Sequence, residues 1–525
     1  MPNVFGTQGK TIDFFAPPTY RRGQKESIEE IEKAFEQYDF VLFEGPTGSG
    51  KSQIARAFAF QSGDAYIITP QKILQDQYER DFPEMRVVKG RSAYSCLAPN
   101  SGTCARGPCR TRKGFSHGLC PYTEAKDAGL KAPVAVYNFD SLYYQIILPK
   151  KEDRESLGRK LLIIDEAHNT ENKFLDFMTL SLNNKRRYFP IEEFKRLEDY
   201  DPFIAERYQE CQRRIGALNR KLSLQEEITE AEADELEDLR RRQTKFALYL
   251  NNRERTDPPP AEYVFKYEDR GSYQTLTFRP IFVDDFIEKK LFPYAEKFLM
   301  MSATILDKKN FCKNIGLDPD EVCFIQQPSN FPPQNYPISK KYIGKMSHKS
   351  IKENIKKIPS AIEEILKMHP NQKGIIQTHN EKIARYIKTY SLNPRLTFNK
   401  DHSTPKEMLE FHAKKKGSFI VASGLKEGLD LKDDLSEVQI FCKVPYPDLG
   451  DKRVRRRMEL QPGWFEYMTA VMFIQSFGRS IRSEKEKVVT YILDTGFGWF
   501  YFHNHKLFPE HIRQAIAAGD KIQKH

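Results

Sequence analysis

One eight-residue stretch constrains this chain more than any other: Gly45-Pro46-Thr47-Gly48-Ser49-Gly50-Lys51-Ser52, between the apolar run YDFVLFE (38–44) and the helix-like run SQIARAFAF. It fits the pattern G-x-x-x-x-G-K-[ST] in its strand–loop–helix setting. Glycines let backbone N–H groups turn inward around phosphate oxygens. Lys51 is suited to neutralise the outer phosphates, and Ser52 to offer its hydroxyl to Mg²⁺.

Further short apolar runs fit buried strands: 65–69, 161–165 and 297–302, then 373–378, 418–423, 437–444 and 487–494. They alternate with amphipathic stretches, which predicts parallel α/β sheets. The expected division is a first α/β domain of 1–90, 136–171 and 281–305, and a second of 306–525. Two insertions interrupt the first, at 91–135 and 172–280. In the second insertion, Ile204, Tyr208, Cys211, Ile215, Leu218 and Leu222 keep helical spacing, as do Leu236, Leu239, Phe246 and Leu250. Thr229 and Glu232 fit a capping box between them, so an antiparallel helical hairpin is expected. The segments EYVFKYE and SYQTLTFRPIFV look like strands returning from it.

Asp165-Glu166-Ala167-His168 ends the strand at 161–165. An acid there can hold Mg²⁺ through water, and Glu166 can polarise an attacking water. Ser302-Ala303-Thr304 follows another strand and is a weak signal alone. Gln475 begins a stretch with Arg479 and Arg482, three apart and so on one helical face. Such arginines can reach across a cleft to a γ-phosphate.

Four of the eight cysteines, Cys96, Cys104, Cys109 and Cys120, fall in the first insertion, with gaps of seven, four and ten residues. A chain without a secretion-like N-terminus is expected to be soluble and intracellular, where such a cluster binds metal rather than forming disulfides. Zinc and an iron–sulfur cluster both remain open, with the wide spacing favouring the larger group. The net charge of +11 favours a polyanionic partner. Arg91, Tyr94, Arg106, Arg110, Arg112 and Lys113 around the cysteines, and the run Lys452, Arg453, Arg455, Arg456, Arg457, would suit a single-strand channel. For any one of them a solvated charged face is the commoner explanation.

In this order the motifs resemble the DinG/XPD group of superfamily 2 helicases, over residues 18 to 495. VVKGRSAYSC and CPYTEAKDAGLKAPVAVYNFDSLYY resemble the entry to and exit from that group's cluster domain, and Tyr20-Arg21-Arg22-Gly23-Gln24 resembles its adenine-reading motif. The resemblance implies two RecA-like parallel-sheet domains with ATP between them, an iron–sulfur insert and a mainly helical arch insert. It implies ATP hydrolysis coupled to 5′-to-3′ movement on single-stranded DNA, in repair, recombination or replication. Lys51, Ser52, Asp165 and Glu166 match catalytic positions, with Gln475, Arg479 and Arg482 in motif VI. Arg21, Gln24, Gly428 and Asp430 match nucleotide-contacting positions, the last two in motif V. His168, Ser302 and Thr304 match coupling positions. The implied cofactors are Mg²⁺ and a [4Fe–4S] cluster, with ATP consumed. The implied partners are single-stranded DNA and fork or overhang substrates, with no membrane and a monomeric state. The arch looks short, no nuclease is expected before the adenine-reading motif, and GIIQTHNEKIA matches motif IV only loosely. No spare carboxylate cluster of the two-metal type appears, which weighs against a nuclease.

Overall fold

The computed structural model describes residues 5–98, 102–112, 119–148, 157–185, 191–224, 226–254, 262–329, 331–398, 401–402, 404–423, 431, 433–481 and 486–522. Its first sheet joins seven parallel strands: β1 (Phe40–Glu44), β2 (Ala65–Thr69), β3 (Arg86–Val88), β4 (Val134–Asn138), β5 (Arg159–Asp165), β9 (Ala295–Ser302) and β10 (Val322–Gln326). Their order is β10-β1-β9-β5-β2-β4-β3. Central strands such as Val41-Leu42-Phe43 and Leu161–Ile164 are fully buried because apolar cores cover both faces. Register aligns the strand ends that matter: Glu44 pairs with Ser302, and Asp165 with Met301. The loop after β1, the acids after β5 and the Ser302 turn therefore leave one edge side by side, where parallel sheets hold ligands.

Strand pairing moves two boundaries. β10 pairs with β1, from Phe40 against Val322 to Glu44 against Gln326, so the chain leaves the first sheet after 326 rather than at 305. β4 already pairs with β2 at Val134, before the expected return at 136. The helix Pro121–Lys131 also lies on this sheet: a Cβ added at Gly129 would come within 2.3 Å of Val88 Cγ2. The cysteine-bearing excursion is thus shorter than 91–135.

The second insertion contains the expected hairpin, Tyr200–Ser223 and Glu230–Glu254. Its capping box is reciprocal: Thr229 N–H donates to Glu232 Oε2 at 3.0 Å, and Glu232 N–H to Thr229 Oγ1 at 3.2 Å. Beneath the hairpin lies an antiparallel sheet of β6 (Leu180–Asn183), β7 (Tyr263–Asp269) and β8 (Gln274–Pro280). Of these β6 had no expectation, being four residues long. Hairpin and sheet share one core, including Tyr200, Phe246, Tyr249 and Phe278.

The second motor sheet has six parallel strands: β11 (Ile338–Ser339), β12 (Gly374–Gln377), β13 (Leu396–Phe398), β14 (Phe419–Ala422), β15 (Val438–Phe441) and β16 (Val489–Ile492). They run in the order β11-β16-β15-β12-β14-β13. Among the described residues no helix is long and apolar enough to cross a membrane.

The basic run of the second domain lies on the helix Lys452–Leu460, and part of it is a domain clamp rather than a solvated face. Arg453 and Arg457 are buried. Arg453 donates to Glu171 Oε1 at 2.8 Å and to the Pro280 carbonyl at 2.9 Å. Arg457 donates to the Ile281 carbonyl, Asn314 and Gln461, lies 3.4 Å from Glu171 and stacks over Phe282. Glu171 belongs to the helix just after the Asp165–His168 motif. Arg456 bonds Glu262 and Lys452 sits over the Phe265 ring, leaving Arg455 as the exposed arginine of the run. Removing one partner of a buried pair strands the other charge, at a cost of roughly 3–5 kcal/mol. Glu171 is shared by both arginines, so replacing Arg453 and Arg457 together by Ala is expected to bring the first thermal unfolding transition down clearly. Arg455→Ala should leave it unchanged, and equal transitions would contradict the clamp.

Candidate nucleotide site between the two motor domains

The phosphate loop turns sharply between β1 and the helix Lys51–Ser62, with Gly48 at φ 81° and Gly50 at φ 85°. Gly50 is also required by a neighbour. A Cβ there would lie 2.3 Å from Gln24 Nε2, which donates to the Gly50 carbonyl at 3.2 Å. Gln24 Oε1 accepts from Arg21 N–H at 3.0 Å, and the Arg21 guanidinium donates to the Gly48 carbonyl. Arg21 and Gln24 are thus built onto the loop. Lys51 Nζ folds back on the Gly45 carbonyl at 3.0 Å and the Pro46 carbonyl at 3.4 Å. A phosphate entering the loop would compete for that ammonium. Ser49 Oγ is buried and has no partner among the described residues.

Asp165 ends β5 in a fully buried position. Burial first, then the charge of Glu166, raises its carboxyl to about 6. Glu166 N–H donates to Asp165 Oδ1 at 3.0 Å, and the Tyr78 hydroxyl to Oδ2 at 3.1 Å. Burial and then the Asp165 charge push the Tyr78 phenol well above its ordinary value, so it remains a donor. With the Ser52 hydroxyl nearby, this is an oxygen set of the kind a hard divalent cation takes. A carboxylate held in such burial by neutral donors gains from a cation beside it, so the residues fit magnesium.

Glu166 adopts φ 52°, left-handed for a residue with a Cβ. Such strain costs about 1–3 kcal/mol and collects at functional positions. From it a polar chain crosses the cleft. His168 Nδ1 lies 3.4 Å from Glu166 Oε2 and 2.8 Å from Ser302 Oγ. Asn169 Nδ2 donates to His168 Nε2 at 2.9 Å, which assigns the His168 proton to Nδ1. Ser302 Oγ reaches Thr304 Oγ1 at 3.4 Å, and Thr304 Oγ1 accepts from Gln475 Nε2 at 3.2 Å. Glu166 and Thr304 belong to the first motor domain and Gln475 to the second.

Gln475 lies near the end of the helix Trp464–Phe477, and Arg479 in the next turn, Gly478–Ser480. This segment is fastened from behind: Gln377 donates to the Ser476 carbonyl and Gln439 to the Phe477 carbonyl, both at 2.9 Å. Arg479, Gln475, Thr47, Glu166 and His168 line one cleft of about 290 Å³. Arg482, Gly428 and Asp430 lie outside the described residues. Tyr78 closes the stretch TPQKILQDQY, which takes its place in the family's motif order, and Gln377 lies in GIIQTHNEKIA, but neither stretch gives it a role. Asn169 and Gln439 have no sequence signal beyond a polar group in an otherwise buried segment.

The cysteine insert is held by few backbone bonds, among them Cys104 N–H to the Tyr94 carbonyl at 2.7 Å and Cys96 N–H to the Gly102 carbonyl at 2.9 Å. Its thiols converge. A Cβ at Gly107 would lie 3.0 Å from Cys96 Sγ and 3.6 Å from Cys109 Sγ. The Cys104 and Cys120 thiols lie beside each other. Cys120 precedes the helix Pro121–Lys131, and hydrogen bonds from Thr123 hold its thiol below the ordinary value. Burial, then Cys120, pushes Cys104 up to about 11. Among the described residues no set of three or more Cys, His, Asp or Glu could hold a metal ion as placed. Arg110 does not face a channel. It reaches Asp234 at 2.7 Å and Glu237 at 3.1 Å on the second helix of the hairpin, while Arg112 pairs with Glu227. Lys113 lies outside the described residues.

A phosphate loop, acids at the next strand end but one, and an arginine from a second parallel sheet define a two-domain nucleotide motor. Residues 18–200 match the family model Type III restriction enzyme, res subunit, and residues 372–515 the Helicase C-terminal domain. Among solved structures the chain is similar to an XPD helicase at 15% identity and TM-score 0.61, covering 94% of this chain and 98% of that one. It is similar to S. tokodaii Xpd4 at 15% and 0.57, covering 94% and 99%, and to an XPD apo structure at 14% and 0.60, covering 92% and 98%. At these identities the likeness is one of fold. No curated protein sequence matches the chain. The chain carries a helicase C-terminal domain and shares the fold of the XPD structures along nearly its whole length. It is an ATP-dependent helicase acting on nucleic acid.

Proposed function

We propose that this helicase moves along single-stranded DNA, 5′ to 3′, as a monomer, and opens forks and overhang-bearing duplexes in repair, recombination or replication. The observation that carries the reading is the polar chain from Glu166 through His168, Ser302 and Thr304 to Gln475. A change at the attacking water alters a bond between the two motor domains, which is what a translocating motor requires. Lys51 binds and neutralises the outer phosphates of ATP, and Glu166 orients the water. Arg479, with Arg482, meets charge developing on the transferred phosphoryl group. Ser52 and Asp165 would hold Mg²⁺, which when bound would supply positive charge to a bound nucleotide's phosphates. Gly428 and Asp430 would sense the nucleotide from the second domain.

Cys96, Cys104, Cys109 and Cys120 would hold a [4Fe–4S] cluster, which when bound supplies the cross-links that the insert's small core lacks. The Gly107 cradle supports this, since a side chain there would meet two of the sulfurs. Four irons also hold thiolates further apart than one ion does. Visible absorption of anaerobically purified protein, with strand displacement measured beside DNA-stimulated ATP hydrolysis, tests the whole reading. Hydrolysis without displacement would leave an ATP-switched binding protein.

DNA affinity is expected to fall steeply with salt and to vary little with base sequence. Each phosphate neutralised on a single strand contributes a log–log slope of about −0.7. Strong sequence preference or a flat salt response in anisotropy titrations would contradict a backbone-tracking path.

A further inference from the structure

Tyr78 lies in the helix Lys72–Asp81 after β2, 1% exposed, its ring tilted against Phe82 at 5.5 Å. A buried tyrosine hydroxyl needs a partner, and any backbone carbonyl would serve a purely structural ring. This hydroxyl instead meets two groups of the nucleotide site. It donates to Asp165 Oδ2 at 3.1 Å and lies beside the Ser52 hydroxyl. The geometry points to Tyr78 as a positioning residue for magnesium, relaying one proton chain from Ser52 through the phenol to Asp165. The inference rests on the reading that Ser52 and Asp165 hold the ion.

The chemistry follows from the direction of the protons. A neutral hydroxyl ligates a cation through a lone pair, so its own proton must point away and be accepted elsewhere. With its proton donated to Asp165, the phenol oxygen is free to accept from Ser52. Ser52 then turns its lone pairs toward the phosphates. At Asp165 the phenol holds Oδ2 while Glu166 N–H holds Oδ1, which fixes the carboxylate plane. Outer groups that orient metal-holding side chains typically contribute about 10–100-fold in metal affinity.

The test measures binding of a fluorescent ADP analogue to the full chain, with and without Mg²⁺, and Mn²⁺ affinity by electron paramagnetic resonance. In Tyr78→Phe, the Mg²⁺ giving half-maximal tightening should rise by about tenfold or more. Nucleotide affinity without metal should not change. Adding Ser52→Ala to Tyr78→Phe should cost less than Ser52→Ala costs alone, because both substitutions break one chain. Tyr78→Leu also removes the ring. It should melt earlier than Tyr78→Phe yet show the same metal dependence. Unchanged metal dependence in Tyr78→Phe, or a defect confined to Tyr78→Leu, would overturn the inference and leave a core tyrosine. If Asp165→Asn leaves metal dependence untouched, the underlying assignment of the ion's holders fails, and the role of Tyr78 with it.

Discussion

Arg479→Ala is expected to lower single-turnover ATP hydrolysis by on the order of 10³-fold or more while ATP affinity changes little. The two effects separate because different domains supply them. On the proposed roles, ground-state binding would come from the first: loop amides, Lys51, and the Arg21 and Gln24 side chains fixed on the loop. Arg479 stands across the cleft from Thr47 and Glu166, on a turn that Ser436 pins through Ser480 at 2.6 Å. In the proposed role its charge gains most when negative charge builds on the γ-phosphoryl oxygens. Stopped-flow binding beside quenched-flow hydrolysis reads the split. Weakened binding with intact turnover would make Arg479 a ground-state contact.

What the sequence disclosed depends on where each signal is stored. Central parallel strands are buried on both faces, so Val41-Leu42-Phe43 or Leu161–Ile164 stand out as unbroken apolar runs. Strand Arg86–Val88 has three residues at a sheet edge, and Val322–Gln326 keeps a half-exposed Cys323 and Phe324. Neither carries that signal. Nothing local says that Val322–Gln326 crosses back beside β1, so a boundary drawn at 305 looked natural. The capping box at Thr229 and Glu232 was legible because both partners lie within one turn.

The candidate site divides in the same way. Phosphate loop, acids and arginines have fixed spacings because their chemistry leaves little choice. Their supports do not. Tyr78 and Asp165 are 87 residues apart, and Gln377 reaches Ser476 across 99. The arginine run misled through composition. Arg453 and Arg457, four apart, share one helical face, and that spacing alone could not reveal Glu171 waiting in the other domain.

Cys104→Ser is expected to abolish duplex separation while leaving DNA-independent ATP hydrolysis at a reduced level. The insert between β3 and the helix Pro121–Lys131 contributes none of its described residues from 91–120 to the two cores of the first motor domain. Among its described residues only Ala98, Cys104, Gly107 and Thr111 are buried, so the proposed ligation would supply most of its order. Losing one thiolate should bleach the visible absorption and expose the insert to protease before any other segment. The damage should also reach the arch. Arg110, next to Cys109, pairs with Asp234 and Glu237, and Ile228 N–H bonds the Thr111 carbonyl at 3.1 Å. Those contacts place the hairpin tip, so a disordered insert releases it. Lys51, Glu166 and Arg479 are fixed by the motor sheets and keep their places. Protease mapping, absorption, strand displacement and ATP turnover on the same preparation check each step. Normal unwinding by the colourless variant would show that the insert does not part the strands. Global unfolding would show that it is no separable excursion.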